Sequence, residues 1–217
     1  MNLLAHSALA FQASRSWESG ASIQAGLMAG AIIADLTKGT IPKNWPHALQ
    51  SGVRLHRRID AYSNTHPAIR QSSERFPPQY RRFAPIFIDV LADHYLSLEW
   101  HDHFSFSIAE VSQCCYAALA KYRGYWPPAH NDFFNYLRDH DLLGQYHQWY
   151  HVQRGLGSVL RRLNKSACFD EVNQASLAQL DAGQSDFRIY FPDMRHMLPA
   201  WESLGMQPAG REPLANQ

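Results

Sequence analysis

The segment from Ala84 to Trp100, APIFIDVLADHYLSLEW, limits the fold more than any other stretch of the chain. Wound as a helix at about 100° per residue, it spreads Ile86, Phe87, Ile88, Val90, Leu91, Tyr95, Leu96 and Leu98 around its whole circumference. No continuous polar face remains. A helix that is apolar on all sides is a buried helix, so other elements must pack around it.

The rest of the chain supplies helices and not strands. No run alternates with period 2 between hairpin-type turns, whereas several segments carry helical spacing. The spacing predicts a helix from Ile23 that ends near Lys38, before Gly39 and Pro42, and another that Pro46 opens and that stops before Ser63-Asn64. Pro67 suits the first position of a short helix running to Phe76. Gln79 to Trp100 follows, with Pro85 either kinking the helix or starting its main part. Further helices are expected over Ser107–Tyr122, Asp132–Leu143 and Gln145–Leu163, and one or two over 170–204 with Pro192 at a junction. The fold class is all-α, a single compact multi-helix domain over residues 1–204, with a loose polar tail over 205–217.

At 217 residues such a domain buries roughly 70% of the surface its unfolded chain exposes, so it needs neither disulfide nor structural metal to fold. A metal would therefore serve chemistry. Cys114, Cys115 and Cys168 are odd in number and lack CxxC spacing, which argues against a disulfide framework and a thiolate zinc site. A formal charge of +1 excludes binding to nucleic acid by bulk electrostatics. The start MNLLAH lacks a basic n-region, and the longest uncharged run, residues 19–34, falls short of the ~20 apolar residues that span a bilayer. A cytoplasmic protein without a membrane segment is expected.

Within the apolar segment, Asp89 and Asp93 stand about 40° apart on one stripe and His94 follows at about 140°. Two unneutralised buried carboxylates at this spacing repel, and a cation relieves them. That cation could be Arg58, Arg81 or Arg82 in an ordinary ion pair, and spacing alone names no metal. A second segment bears on the choice: LHRRID places His56 and Asp60 at i and i+4 on one helical face. Together the two segments offer five oxygen and nitrogen donors and no sulfur, which suits Mn²⁺, Mg²⁺ or Fe²⁺ better than a structural zinc. Asp35 ends the uncharged stretch AGLMAGAIIADL, where a solvated last-turn residue is the plain alternative to a ligand. His6, in LLAHSALA, is likewise read as a core histidine or a ligand. The literal His-Asp pairs in 101–103 and 139–141 lie in polar surroundings and are read as solvated side chains.

Residues 54–82 hold Arg54, Arg57, Arg58, Arg70, Arg75, Arg81 and Arg82 against only Asp60 and Glu74. Arginine suits phosphate through its planar fork, and a basic patch steers an acidic protein. A Walker-type loop, a Gly-x-Ser-x-Gly elbow and a Gly-x-Gly-x-x-Gly turn are absent, which removes the usual P-loop, esterase and dehydrogenase signals.

The motifs MNLLAHSALA, IIADLTKG at 32–39, LHRRIDAYSNTHP at 55–67 and RRFAPIFIDVLADHYL at 81–96 resemble those of the acyl carrier protein phosphodiesterases. Weaker matches continue in the same order through NYLRDHDLL, GLGSVLRRL and FRIYFPDM. The resemblance implies a helical fold related to the His-Asp phosphohydrolases with permuted motif order. It also implies Mn²⁺-dependent hydrolysis of the diester joining 4′-phosphopantetheine to a serine of holo-acyl carrier protein. His6, Asp35, His56, Asp60, Asp89, Asp93 and His94 match the family's polar motif positions and make up the expected metal set. Asp35, Asp93 and Arg57 are the expected catalytic residues, and Arg54, Arg57, Arg58, Arg81 and Arg82 the expected contacts to the acidic carrier protein. Two other readings compete: a related metal phosphohydrolase acting on a nucleotide or another small diester, and a noncatalytic helical module that binds an acidic partner through the same arginines.

Overall fold

The computed structural model describes residues 2–18 and 20–205, and among them there is no β-strand. The expected tail, apart from its first residue, lies outside the described residues. Eleven α-helices follow in chain order: α1 Leu3–Ser16, α2 Gly20–Ile33, α3 His47–Thr65, α4 Pro67–Glu74, α5 Ala84–Leu98, α6 Trp100–His103, α7 Ile108–Lys121, α8 Asn131–Asp139, α9 Trp149–Arg162, α10 Phe169–Ala178 and α11 Leu180–Gly205. They form the expected all-α architecture around one apolar core.

Helix α5 is the buried helix its sequence requires, with Phe87, Val90, Leu91, Ala92, Asp93 and Leu96 all almost inaccessible. It packs on α1, α4, α9 and α11. Pro85 sits in its first turn, where a missing N–H costs nothing, so the proline starts the helix and does not kink it. Residues 78–83 are turns.

Spacing does not single out α1, whose ring of small residues gives no sharp polar face. Its neighbours explain it: α2 and α7 cover one side, α5 and α11 another. Helix α2 lies unusually close to α3. A Cβ on Gly30 would overlap the Leu49 carbonyl oxygen and stand 2.8 Å from Gly52 Cα, so the contact requires glycine on both helices. Helix α2 stops at Ile33, short of the expected end near Lys38, and tightens into a 3₁₀ turn over Ala34–Leu36 that carries Asp35.

Other boundaries differ from expectation too: α3 runs through Ser63 and Asn64 to Thr65, and α5 starts at Ala84 and not at Gln79. Helix α8 ends at Asp139 because Asp141 takes a left-handed conformation (φ 43°) that closes the segment. The break between α10 and α11 falls at Gln179, and Pro192 lies inside α11. The buried face of Phe187, Tyr190, Phe191, Met194 and Leu198 holds that helix together through its prolines.

Candidate metal centre beside an arginine-lined cleft

The close approach of α2 and α3 sets up the centre. It lets His56 Nδ1 donate to the Ala31 carbonyl oxygen at 2.7 Å, which turns Nε2 away from α2. There Nε2 stands 3.0 Å from Asp60 Oδ2 and 3.5 Å from Asp35 Oδ1. The other oxygen of Asp60, Oδ1, meets His6 Nε2 at 3.1 Å. One carboxylate is thus shared by two imidazoles whose rings stack with centroids 3.8 Å apart. Donor atoms of His6, His56 and Asp60 lie within 4.8 Å of one another. The histidines are 3% and 6% exposed, Asp60 36% and Asp35 62%, so the cluster has a dry imidazole side and opens to solvent through its carboxylates.

Electrostatics separate the two histidines. Burial, and then the charge of His56, pull the His6 pKa down to about 4, so His6 is neutral at pH 7. Burial also works against charge on His56, but Asp35 and Asp60 outweigh it and raise its pKa to about 9. Burial opposes the charge of Asp60, and its bonds with His56 and His6 overcome this and hold it well below the usual carboxylate range. His56 lowers Asp35 in the same direction. In the metal-free centre a proton on His56 therefore balances two carboxylates, the place a cation would take. The donor set, two imidazole nitrogens and carboxylate oxygens with one nitrogen oriented by a backbone carbonyl, fits a divalent ion. The buried Nδ1 of His6 has no hydrogen-bond partner.

The structure brings His6, Asp35, His56 and Asp60 together and sets Asp89 near them. Burial, and also the negative charges of Asp60 and Asp35, raise the pKa of Asp89. Asp93 is engaged elsewhere: Oδ2 accepts from the Leu4 amide and Oδ1 from the Ala5 amide, both at 2.9 Å. It caps the first turn of α1, where Asn2 provides no side-chain cap, and places a negative charge at the helix N-terminus. Burial pushes its pKa up to about 7 against the pull of these amides. His94 Nδ1 donates to the Tyr146 carbonyl oxygen at 2.8 Å and packs on Trp149, so it anchors the chain entering α9. Both residues of the Asp93-His94 pair thus make framework contacts, and neither belongs to the His6–His56–Asp60 group whose donor atoms converge.

The expected arginine face divides. Arg57 donates to the Thr37 carbonyl oxygen at 2.6 Å and so braces the turn that carries Asp35. Arg54 bonds Gln50 at 2.9 Å, and burial together with neighbouring Arg58 lowers its pKa. Arg81 donates to the Phe76 carbonyl oxygen and Arg82 lies over the Phe83 ring, which places this pair at the entrance to α5. Of the two literal His-Asp segments, 139–141 is on the surface as expected, with Asp139 on Arg138 and Asp141 accepting from Tyr116. His103 differs: it is buried, 3.8 Å from Glu99, which Arg188 also holds.

A cleft of about 740 Å³ leads away from the centre. Asp35 lines it, together with Tyr136, Tyr150, Arg154, Gly157 and Phe169. The sequence reading missed these residues. The available signal was the pair of glycines in RGLGS, inside a segment otherwise patterned as a helix.

These features define an all-helical domain with a histidine–carboxylate centre where α1, α2 and α3 meet. The model of one family, acyl carrier protein phosphodiesterase, matches residues 1–194. Acyl carrier protein phosphodiesterases of Escherichia coli O139:H28 and Enterobacter sp. (strain 638) are 31% and 28% identical over 198 and 195 residues, each alignment covering 89% of this chain and 95% of the relative. The chain belongs to this family of phosphodiester hydrolases. No solved structure matches it. No helix among the described residues is long and apolar enough to cross a membrane.

Proposed function

We propose that this chain hydrolyses the phosphodiester between 4′-phosphopantetheine and a serine of holo-acyl carrier protein. Water adds to phosphorus, the bond from phosphorus to the serine oxygen breaks, and the products are apo-carrier protein and free 4′-phosphopantetheine. The observation that carries this reading is the sharing of Asp60 by His6 and His56, with His56 fixed on the Ala31 carbonyl, in a chain of this family.

His6, Asp35, His56 and Asp60 would hold one or more divalent ions, Mn²⁺ first and Mg²⁺ or Fe²⁺ as alternatives, with Asp89 adding to the acidic lining. A divalent ion there supplies Lewis-acid polarisation of the phosphoryl group and lowers the pKa of water. The protein's own part is positioning. Ala31 sets the His56 ring, Asp60 orients both imidazoles, Asp93 fixes the turn from which His6 projects, and Arg57 fixes the turn that carries Asp35. Arg54, Arg57, Arg58, Arg81 and Arg82 do not make one continuous face, but together they supply the positive charge that attracts the acidic carrier protein, Arg57 also serving the centre. The activity is cytoplasmic and resides in one domain over residues 1–204. The histidine–aspartate donor set supports a relation to the His-Asp phosphohydrolases.

The test is chelator-stripped enzyme titrated with Mn²⁺ while conversion of holo- to apo-carrier protein is followed. Activity should be absent without metal and return in proportion to bound Mn²⁺. Full activity in protein shown to be metal-free would overturn the metal assignment.

A further inference from the structure

We infer that the cleft between α8, α9 and α10 is the seat of the pantetheine arm, with its phosphate end at Asp35 and the arm running along α9. The inference rests on the function proposed above and adds where the arm lies and which residues hold it.

Three observations point there. First, Asp35 belongs both to the cluster with His56 and to the cleft wall, so a phosphate at the centre has the cleft as its continuation. Among the described residues it is the only carboxylate in that wall, and the exposed Arg154, Arg161 and Arg162 also line it. An anionic ligand is favoured along its length.

Second, the shape and lining suit a small flexible chain better than a protein helix. A concave volume of about 740 Å³ lies within the ~300–1,000 Å³ range of small-molecule sites. The arm carries a branched apolar group and two amides. The wall offers Phe133 and Phe169 for the first, and Tyr150, Gln153 and Ser158 for the second. Phe133 is 45% exposed and Tyr150 57%, so two large apolar side chains stand open to solvent on this one wall. Arg154 holds Tyr150 by a 3.2 Å hydrogen bond and lies over the Tyr136 ring.

Third, Gly157 leaves space that packing does not require. Gly155 has a packing reason, since a Cβ there would come within 2.9 Å of Val90 Cγ1 on α5. At Gly157 the nearest atoms to a Cβ would be on Arg161 and Phe169, at an ordinary 3.7 Å. Glycine inside a helix weakens it relative to alanine, and one that packing does not require suits a position where a ligand comes close to the backbone. That space faces the cleft.

The test uses Mn²⁺-loaded protein and free 4′-phosphopantetheine, a product that binds without turnover, with inorganic phosphate for comparison, both titrated by calorimetry. Wild type should bind 4′-phosphopantetheine about tenfold or more tighter than phosphate, because the arm adds contacts that phosphate lacks. Gly157→Leu, which fills the cleft, should lose most of that advantage. Tyr150→Ala, at an exposed side chain that folding does not depend on, should lose part of it and carries the test if Gly157→Leu does not fold. Equal affinity of wild type for both ligands, or undiminished preference in the variants, overturns the inference. Loss of the preference in the variants, together with a wild type that releases nothing from holo-carrier protein, would uphold the cleft and overturn the proposed reaction.

Discussion

His56 donates from Nδ1 to the carbonyl oxygen of Ala31, 25 residues earlier on the neighbouring helix, at 2.7 Å. This one bond joins the packing of α2 on α3 to the chemistry of the centre, because it decides which ring nitrogen faces Asp60 and Asp35.

The bond depends on the glycine contact between the two helices. Gly30→Ala would drive a methyl group into the Leu49 carbonyl and force α2 from α3. Overpacking of this kind costs about 1–3 kcal/mol, which urea denaturation would measure. Because the same shift pulls Ala31 from His56, Mn²⁺ affinity of the folded variant should fall as well. Lost stability with unchanged affinity would separate the helix contact from the centre.

Metal binding should depend on pH through His56. Its raised pKa of about 9 means that at neutral pH the ion must displace a proton, while Asp60 and Asp35 are already ionised and His6 is already neutral. Between about pH 7 and 9 the apparent affinity for Mn²⁺ should rise about tenfold per pH unit and then level off. About one proton should be released per ion, read by calorimetry in buffers of different ionisation enthalpy. Affinity flat across this interval would contradict the charge balance of the centre.

Asp93 and Asp60 should fail differently. Asp60→Asn removes a charge shared by two imidazoles, so Mn²⁺ affinity and activity should drop about 100-fold or more in a folded protein. In Asp93→Asn the side-chain NH₂ faces one of the two amides that the carboxylate accepted, which should lower metal-free stability by about 1–3 kcal/mol. Its effect on Mn²⁺ affinity should be smaller than that of Asp60→Asn. From the residue types alone, a buried carboxylate without visible partners implies instead that Asp93→Asn leaves metal-free stability unchanged or raises it.

Arg57 and Arg58 are neighbours with separable roles. Arg57→Ala frees the Thr37 carbonyl and loosens the turn bearing Asp35, so hydrolysis of holo-carrier protein and of a small diester should fall together. Arg58→Glu should act mainly on the carrier protein, and the loss should shrink as salt rises and screens the contact. Equal losses on both substrates for both variants would assign both arginines to the centre.

Much of this was readable in the chain. A segment apolar on all sides demands burial, Pro67 marks a helix start, and the i,i+4 spacing of His56 and Asp60 sets both on one face, whereas Pro85 fits a kink as well as a start. Asp93 was legible as a buried carboxylate needing partners, but those partners are backbone amides of residues 4 and 5, and amides leave no trace in residue types. His94 hides the same way behind the Tyr146 carbonyl. Asp35 and His6, each ambiguous alone, become members of one cluster only through the packing of α1, α2 and α3, of which the approach of α2 and α3 across Gly30 and Gly52 is one part. The cleft depends on how α8, α9 and α10 are arranged, which no local periodicity encodes.

The intact mass of holo-carrier protein, measured before and after incubation with the Mn²⁺-loaded enzyme, tests the central claim most directly. The account predicts conversion to the apo-carrier mass, with the serine hydroxyl restored, in wild type and its near-absence in Asp60→Asn. An unchanged mass with Mn²⁺ shown to be bound, or a product that keeps phosphate on the serine, would contradict it.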